Sequence, residues 1–288
     1  MSNALRETTL VVGGTGKTGR RVVERLRARN LPVRVGSRQG EPPFDWDEAA
    51  TWAPALRGVS FAYVSFVPDL GVPGAAATVG AFAELAAESG VRRLVLLSGR
   101  GEAEAQRAEQ AVQSAGAEWT IVRCSWFNQN FSESFFLGPI RSGELALPVD
   151  AVLEPFVDAE DIADVAVAAS TEDRHAGQVY ELTGPRLLRF DEATGEIARA
   201  SGREVRFVPL SVDDYVSALL EQGGPDESVW LVRYLFTEVL DGRNAQLADG
   251  VQRALGRDAR DFRDYAERTA ATGVWAKRVA GEAYSAAT

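Results

Sequence analysis

Apolar positions along the chain follow two alternating rhythms. Short runs that are apolar throughout, such as Leu10-Val11-Val12 and Val91 to Leu97, have the length and continuity of strands covered on both faces. Between them apolar residues recur at three- and four-residue spacing, as at Val22, Val23 and Leu26, which marks helices with one buried side. The pattern predicts a strand leading to Gly13, then strands over Leu31 to Arg38, Glu41 to Trp46, Ser60 to Val67, Val91 to Leu97 and Glu118 to Arg123. It places helices at Lys17 to Arg29, Asp47 to Arg57, Gly74 to Ser89 and Glu102 to Ala115. Six alternations of strand and helix argue for an α/β fold with a doubly wound parallel sheet. The strand at Glu41 to Trp46 carries two prolines, so it is expected to be short and at an edge.

Beyond Cys124 the texture changes. Trp126, Phe127, Phe131, Phe135 and Phe136 crowd together with Asn128, Gln129 and Asn130 among them. Leu137 to Glu154 is rich in turn dipeptides and reads as irregular structure over a cleft. Phe156 to Ala169 returns to a helical stripe with acids at its start, and Gln178 to Thr183 reads as a last strand. From Arg189 helices are expected, with one strand at Glu204 to Pro209. No internal repeat is evident.

The glycines after the first strand bring in chemistry. Gly13, Gly16 and Gly19 have the spacing that lets a chain turn off a strand, approach a pyrophosphate and pack a helix against a sheet. Thr15, Lys17 and Thr18 fill the turn, and the helix start offers N–H groups to an anion. The end of the second strand selects the dinucleotide. No acid occurs from Asn30 to Gly40, so Ser37 and Arg38 are candidates for a 2′-phosphate, with Lys17 a second cation. The expected cofactor is NADP(H) rather than NAD(H). Ligands sit beyond the carboxyl ends of strands in such sheets, which adds Ser65, Phe66, Ser98 and Cys124 to the expected cofactor contacts.

Composition narrows the partners. The 288 residues carry 31 Lys and Arg against 41 Asp and Glu, a net charge of −10, and no dense basic run, which argues against nucleic acid. One cysteine and one histidine leave neither an intramolecular disulfide nor a zinc cluster, so no metal is expected. Cys124 reads as a small buried apolar residue, and His175, in a polar turn, as a solvated one. Asp158 and Asp161 are explained as acids offsetting a helix dipole. The start MSNALRETT has no leader pattern and no stretch is long enough to span a membrane, so a cytoplasmic protein without membrane contact, monomer or homodimer, is expected.

Five motifs carry a family resemblance: GGTGKTG at Gly13 to Gly19, VLLSGRG at Val95 to Gly101, WTIVRCSWFNQNF at Trp119 to Phe131, PFVDAEDIADVA at Pro155 to Ala166 and YELTGP at Tyr180 to Pro185. With these the chain resembles the atypical short-chain dehydrogenases/reductases of the NmrA-like family over most of its length. The resemblance implies an NAD(P)-binding Rossmann domain at 1–130, completed by about 155–183. A smaller, mostly helical substrate region would comprise 131–154 and 184–288.

Typical short-chain dehydrogenases join a serine after the fifth strand to a Tyr-x-x-x-Lys pair. Ser98 matches that serine, but no tyrosine or lysine lies between it and Arg123. Arg107 falls in the helix that would carry the lysine, yet an arginine does not exchange its proton near neutral pH. Two functions remain open. One is an NADPH-dependent reductase acting on a flat aromatic or carbonyl substrate, such as a quinone or azo dye, lined by Trp126, Phe127, Asn128, Asn130, Phe131 and Phe156, with about half of the aromatics serving as core. The other is a sensor that binds NADP(H) without turnover. Tyr63 and Tyr215 are possible proton donors whose positions the sequence leaves open.

Overall fold

The computed structural model describes residues 7–277 apart from residue 224; residues 1–6, part of the stretch read above for a leader, lie outside it. In chain order the elements are β1 (Thr8–Val12), α1 (Lys17–Ala28), β2 (Val33–Gly36), α2 (Trp52–Leu56), β3 (Val59–Val64), α3 (Ala75–Glu88), β4 (Arg93–Gly99), α4 (Ala103–Ser114) and β5 (Glu118–Cys124). They continue with α5 (Leu137–Ser142), β6 (Glu144–Leu147), α6 (Ala159–Thr171), β7 (Gln178–Leu182), α7 (Phe190–Ser201) and β8 (Arg206–Pro209). Last come α8 (Val212–Glu221), α9 (Asp226–Tyr234), a π turn at Leu235–Val239, α10 (Gly250–Leu255) and α11 (Phe262–Ala271).

Six strands form one parallel sheet in the order β2-β1-β3-β4-β5-β7. Its central strands are apolar throughout because both faces are covered: Leu10, Val11, Val12, Leu94, Val95 and Leu96 have no exposed surface. One face packs Leu94 and Leu96 against Val79 and Phe82 of α3 and Val112 of α4. The other packs Val11 and Val95 against Val22 of α1 and Ile162 and Ala166 of α6. A third apolar cluster lies in the C-terminal half, where Phe131, Phe156, Phe190, Phe262 and Trp275 meet. Val251 and Ala254 of α10 belong to the cluster on the α1–α6 face, so the chain returns to the sheet after most of the smaller region has been built.

Three expectations are corrected. Glu41 to Trp46 is not a strand: two prolines remove ladder donors, and Phe44 and Trp46 turn inward against Phe82 (5.5 and 5.3 Å between centroids). The helix expected over Asp47 to Arg57 shrinks to α2 after a single 3₁₀ turn at Ala49–Thr51. Leu137 to Glu154 holds α5 and β6, and β6 pairs in parallel with β8, Leu145 beside Phe207, as a separate two-stranded sheet.

Candidate functional site

The glycine turn is built by close approach. Gly13 has φ +69°, a left-handed conformation that disfavours side chains, and its α-carbon side faces Ser65 at the end of β3. A methyl group on Gly19 would overlap the Gly13 carbonyl, so only glycine lets α1 start this close to β1. No side chain caps α1, and within the helix Arg20 N–H is the first to bond back, to the Gly16 carbonyl at 3.1 Å, while Gly16 N–H closes the turn on the Gly13 carbonyl at 2.9 Å. The amides of Lys17, Thr18 and Gly19, in the first turn, remain for an anion. Gly14 N–H also reaches the Gly36 carbonyl at 3.2 Å, so the turn sits beside the end of β2.

There Ser37 is half-buried and Arg38 exposed, and among the described residues Arg38 has no hydrogen-bond or ion-pair partner. Thr18 is buried, and its hydroxyl accepts a 2.8 Å bond from Tyr63, whose phenol burial pushes above its usual range. Lys17 Nζ donates to Asn130 Oδ1 at 2.9 Å, joining the glycine turn to the segment after β5. Burial lowers the Lys17 pKa, against the pull of Glu133 and helped by Arg20. Residues predicted for the dinucleotide and for the substrate therefore meet here.

Ser65 borders Gly13, and Phe66 packs on Trp46 with centroids 5.0 Å apart. Cys124 is buried, which raises its thiol pKa. Ser98 is also buried, and its hydroxyl donates to Glu109 Oε1 at 2.6 Å, which Arg123 Nε also reaches at 2.9 Å. Arg107 does not join it: the side chain is exposed and bonds Glu104 on its own helix at 2.8 Å.

Among the aromatics, Phe131 and Phe156 are core rather than lining. Each is buried, and they pack on one another and on Phe190 and Phe262 with centroids 5.0 to 6.1 Å apart. Phe136 is buried with them and Phe135 is exposed. Trp126 and Phe127 are half-buried, Trp126 lying against Phe190 and Phe236. The indole N–H of Trp126 and both amide atoms of Asn128 are buried without a hydrogen-bond partner among the described residues. Buried polar atoms are ordinarily paired, with protein, water or a ligand, and these three within one loop are open to such a partner.

Glu154 accepts the Trp126 backbone N–H at 3.0 Å; burial pushes its pKa up to about 7, against that bond and the charge of Arg100. His175 is buried, not solvated, because its ring meets the Tyr180 hydroxyl at 2.8 Å beneath the 3₁₀ turn Asp173–His175. Asp158 caps α6 by accepting from Glu160 N–H, as its position at the helix start implies. Asp161 instead binds Arg257 and Arg260. Sequence patterning gives no sign of Asp69, Glu102 and Tyr234, which the fold gathers beyond the carboxyl ends of β3 and β4; solitary acids in turns carry no periodic signal.

No family model matches the chain. An NAD(P)H azoreductase from Xenophilus azovorans is 32% identical over 286 residues, covering 91% of this chain and 98% of the relative. The chain belongs to the NmrA-like atypical short-chain dehydrogenases/reductases. Solved structures share the fold of this family member: an NADPH-dependent quinone oxidoreductase from Escherichia coli, in complex with NADPH, has a TM-score of 0.75 at 20% identity, covering 90% of this chain and 99% of that one. A triphenylmethane reductase from Citrobacter sp., in complex with NADP(H), has a TM-score of 0.73 at 17% identity, covering 91% and 99%. No helix among the described residues is long and apolar enough to cross a membrane.

Proposed function

We propose that the protein is an NADPH-dependent reductase whose acceptor is a flat aromatic or carbonyl compound, a quinone, azo dye or aromatic ketone. The observation that carries the acceptor is the buried, partnerless Trp126 N–H and Asn128 amide, two residues from the asparagine that holds Lys17. Together they offer two donors and one acceptor beside an aromatic wall, the recognition a polar-edged flat molecule needs. Related proteins named as azoreductase and quinone oxidoreductase support the same class.

The residues present fit NADP(H). The uncapped start of α1 and the glycine turn take the pyrophosphate, while Ser37 and the free Arg38 take the 2′-phosphate, with no acid in the sequence from Asn30 to Gly40. Ser65 and Cys124 border the same edge of the sheet. When bound, the dihydronicotinamide supplies hydride. The protein's part is to hold the acceptor through Trp126 and Asn128 and to keep water from the reacting face. Residues 1–130 and about 155–183 form the cofactor half in this reading, joined by α10, and the acceptor half is built from 131–154 and the rest of the C-terminal region.

The test is anaerobic oxidation of NADPH, followed by its absorbance, with quinones, azo dyes and polycyclic aromatic ketones. Turnover supports the reductase and its best acceptor names the class. Tight NADPH binding with no turnover on any acceptor would replace this reading with NADP(H) sensing.

A further inference from the structure

The missing Tyr-x-x-x-Lys pair removes the usual proton donor of short-chain dehydrogenases, and the fold gathers two acids at the edge of the sheet where the cofactor is expected. Asp69 follows β3, and Glu102 sits between β4 and α4, so both stand beyond the carboxyl edge of the sheet. Their carboxyl groups crowd one point: a methyl group on Gly71 would overlap Glu102 Oε2 and press on Asp69 Oδ1. Glu102 is 7% exposed and its Oε2 is buried facing no N–H or O–H donor among the described residues. Asp69 Oδ1 already accepts the Gly71 N–H at 2.7 Å.

A buried carboxyl group without a donor, crowded against a half-buried one whose only hydrogen bond comes from Gly71 N–H, favours a proton held between the two. The site is shaped for this contact. A methyl group on Gly99, the residue after Ser98, would overlap the Glu102 carboxyl, and Tyr234 of α9 closes over Gly71 on the other side. Tyr234 is stacked on the exposed Trp230, with centroids 5.0 Å apart and 11° between planes, so the pair has a flat apolar rim.

We propose that Asp69 and Glu102 share one proton, and that Glu102 delivers it to the acceptor as the acceptor takes up hydride. The proposal rests on the reductase reading above. In the step the Glu102 O–H bond breaks and an O–H or N–H bond forms on the acceptor, using the electron pair that the incoming hydride from NADPH displaces onto that oxygen or nitrogen. The acceptor is reduced by two electrons, NADPH becomes NADP⁺, and the pair is left doubly ionised until water returns a proton through the half-buried Asp69. Burial and the Asp69 charge push the Glu102 pKa up to about 9, so the acid form is held at neutral pH. The other groups facing the pair are Tyr234, raised to about 12 by burial and by the two acids, and, around Tyr234, Glu238 of the π turn and Arg243 of the following loop.

Two measurements decide it. Infrared spectra of the wild-type protein without cofactor should show, at pH 8 and beyond the contribution of Glu154, which titrates near 7, the carbonyl band of a protonated carboxylic acid that fades as pH passes about 9. Glu102→Gln should lack the band that fades near pH 9. With an aromatic ketone or azo dye, Glu102→Gln should lower kcat about 100-fold while leaving NADPH affinity unchanged, and Asp69→Asn should shift the alkaline fall in kcat. No such band in the wild type overturns the shared proton. A band together with wild-type kcat in a folded Glu102→Gln overturns the delivery step. If the wild type reduces no acceptor, the reductase reading fails and takes delivery with it, while the band still decides whether the proton is shared.

Discussion

On the α1–α6 face of the sheet, acids that leave water meet arginines; at the β3–β4 edge they meet each other. Arg21 binds Glu160 at 2.6 Å and Glu133 at 2.7 Å, Arg25 reaches Asp164 at 2.6 Å, and Arg257 and Arg260 complete the row at 2.6 and 2.9 Å from Asp164. Burial pushes Glu133, Glu160 and Asp164 toward the neutral form, but the arginine hydrogen bonds hold all three below the usual carboxylate range. Asp69 and Glu102 have no such partner, and burial raises both. The same loss of water thus makes a fixed negative charge that clamps helices in one place and a retained proton in the other. What distinguishes structure from chemistry here is the cation, not the acid.

The largest expected effect comes from breaking the matched side. Arg21→Ala leaves Glu133 and Glu160 short of a partner and should lower unfolding free energy by about 3 kcal/mol in urea titration. A loss below about 1 kcal/mol would reduce the row to ordinary surface pairs.

Arg38 is the inverse case, an exposed cation without an acid. Its partner in this reading arrives with the cofactor. Arg38→Ala should weaken NADPH binding about 30-fold, roughly 2 kcal/mol for a lost charge-assisted contact, and leave NADH binding nearly unchanged. Equal losses for both would defeat the 2′-phosphate assignment, whatever the acceptor.

Stability against pH separates the two groups of acids by sign. For Glu133, Glu160 and Asp164 the folded pKa lies below the unfolded one, so their stabilisation is present above about pH 4.5 and is lost as pH falls through the folded values. Glu102 is opposite. Its folded pKa of about 9 exceeds the unfolded value, the folded state binds more protons, and stability falls as pH rises from 4.5 toward 9. Glu102→Gln should therefore melt roughly 3–5 °C above the wild type at pH 9 and close to it at pH 4.5. A constant offset across that range would mean that Glu102 titrates normally.

Much of this was legible in the chain. The sheet, α1 and the glycine turn follow from apolar runs and local spacing, and local signals suffice because β1, the turn and α1 are continuous in sequence. The strand β6 was not legible, since turn dipeptides crowd its short apolar run and its partner β8, itself expected as a strand at Glu204 to Pro209, lies some 60 residues later. Phe131 and Phe156 look like a pocket in sequence and are core in space, because the residues that bury them, Phe190 and Phe262, come from α7 and α11. Burial of His175 likewise depends on Tyr180 folding back over it. The acid pair is the extreme case: Asp69 and Glu102 acquire meaning only through contact between two loops that β3 and β4 bring together.

Ser98 sharpens the comparison at its smallest scale, because it lies one residue from Gly99 yet belongs with the matched acids. Its hydroxyl is bonded to Glu109, and Glu109 keeps Arg123 if the hydroxyl is removed. Ser98→Ala should therefore cost about 1 kcal/mol of stability, measured by urea unfolding, and change turnover by no more than about two-fold. Glu102→Gln should do the reverse, sparing stability and losing turnover. If Ser98→Ala instead abolishes reduction of an acceptor that the wild type turns over, the serine position has kept its chemistry despite the lost tyrosine and lysine. The Glu109–Arg123 pair would then be its support, and the division between arginine-matched and unmatched acids would no longer separate structure from catalysis.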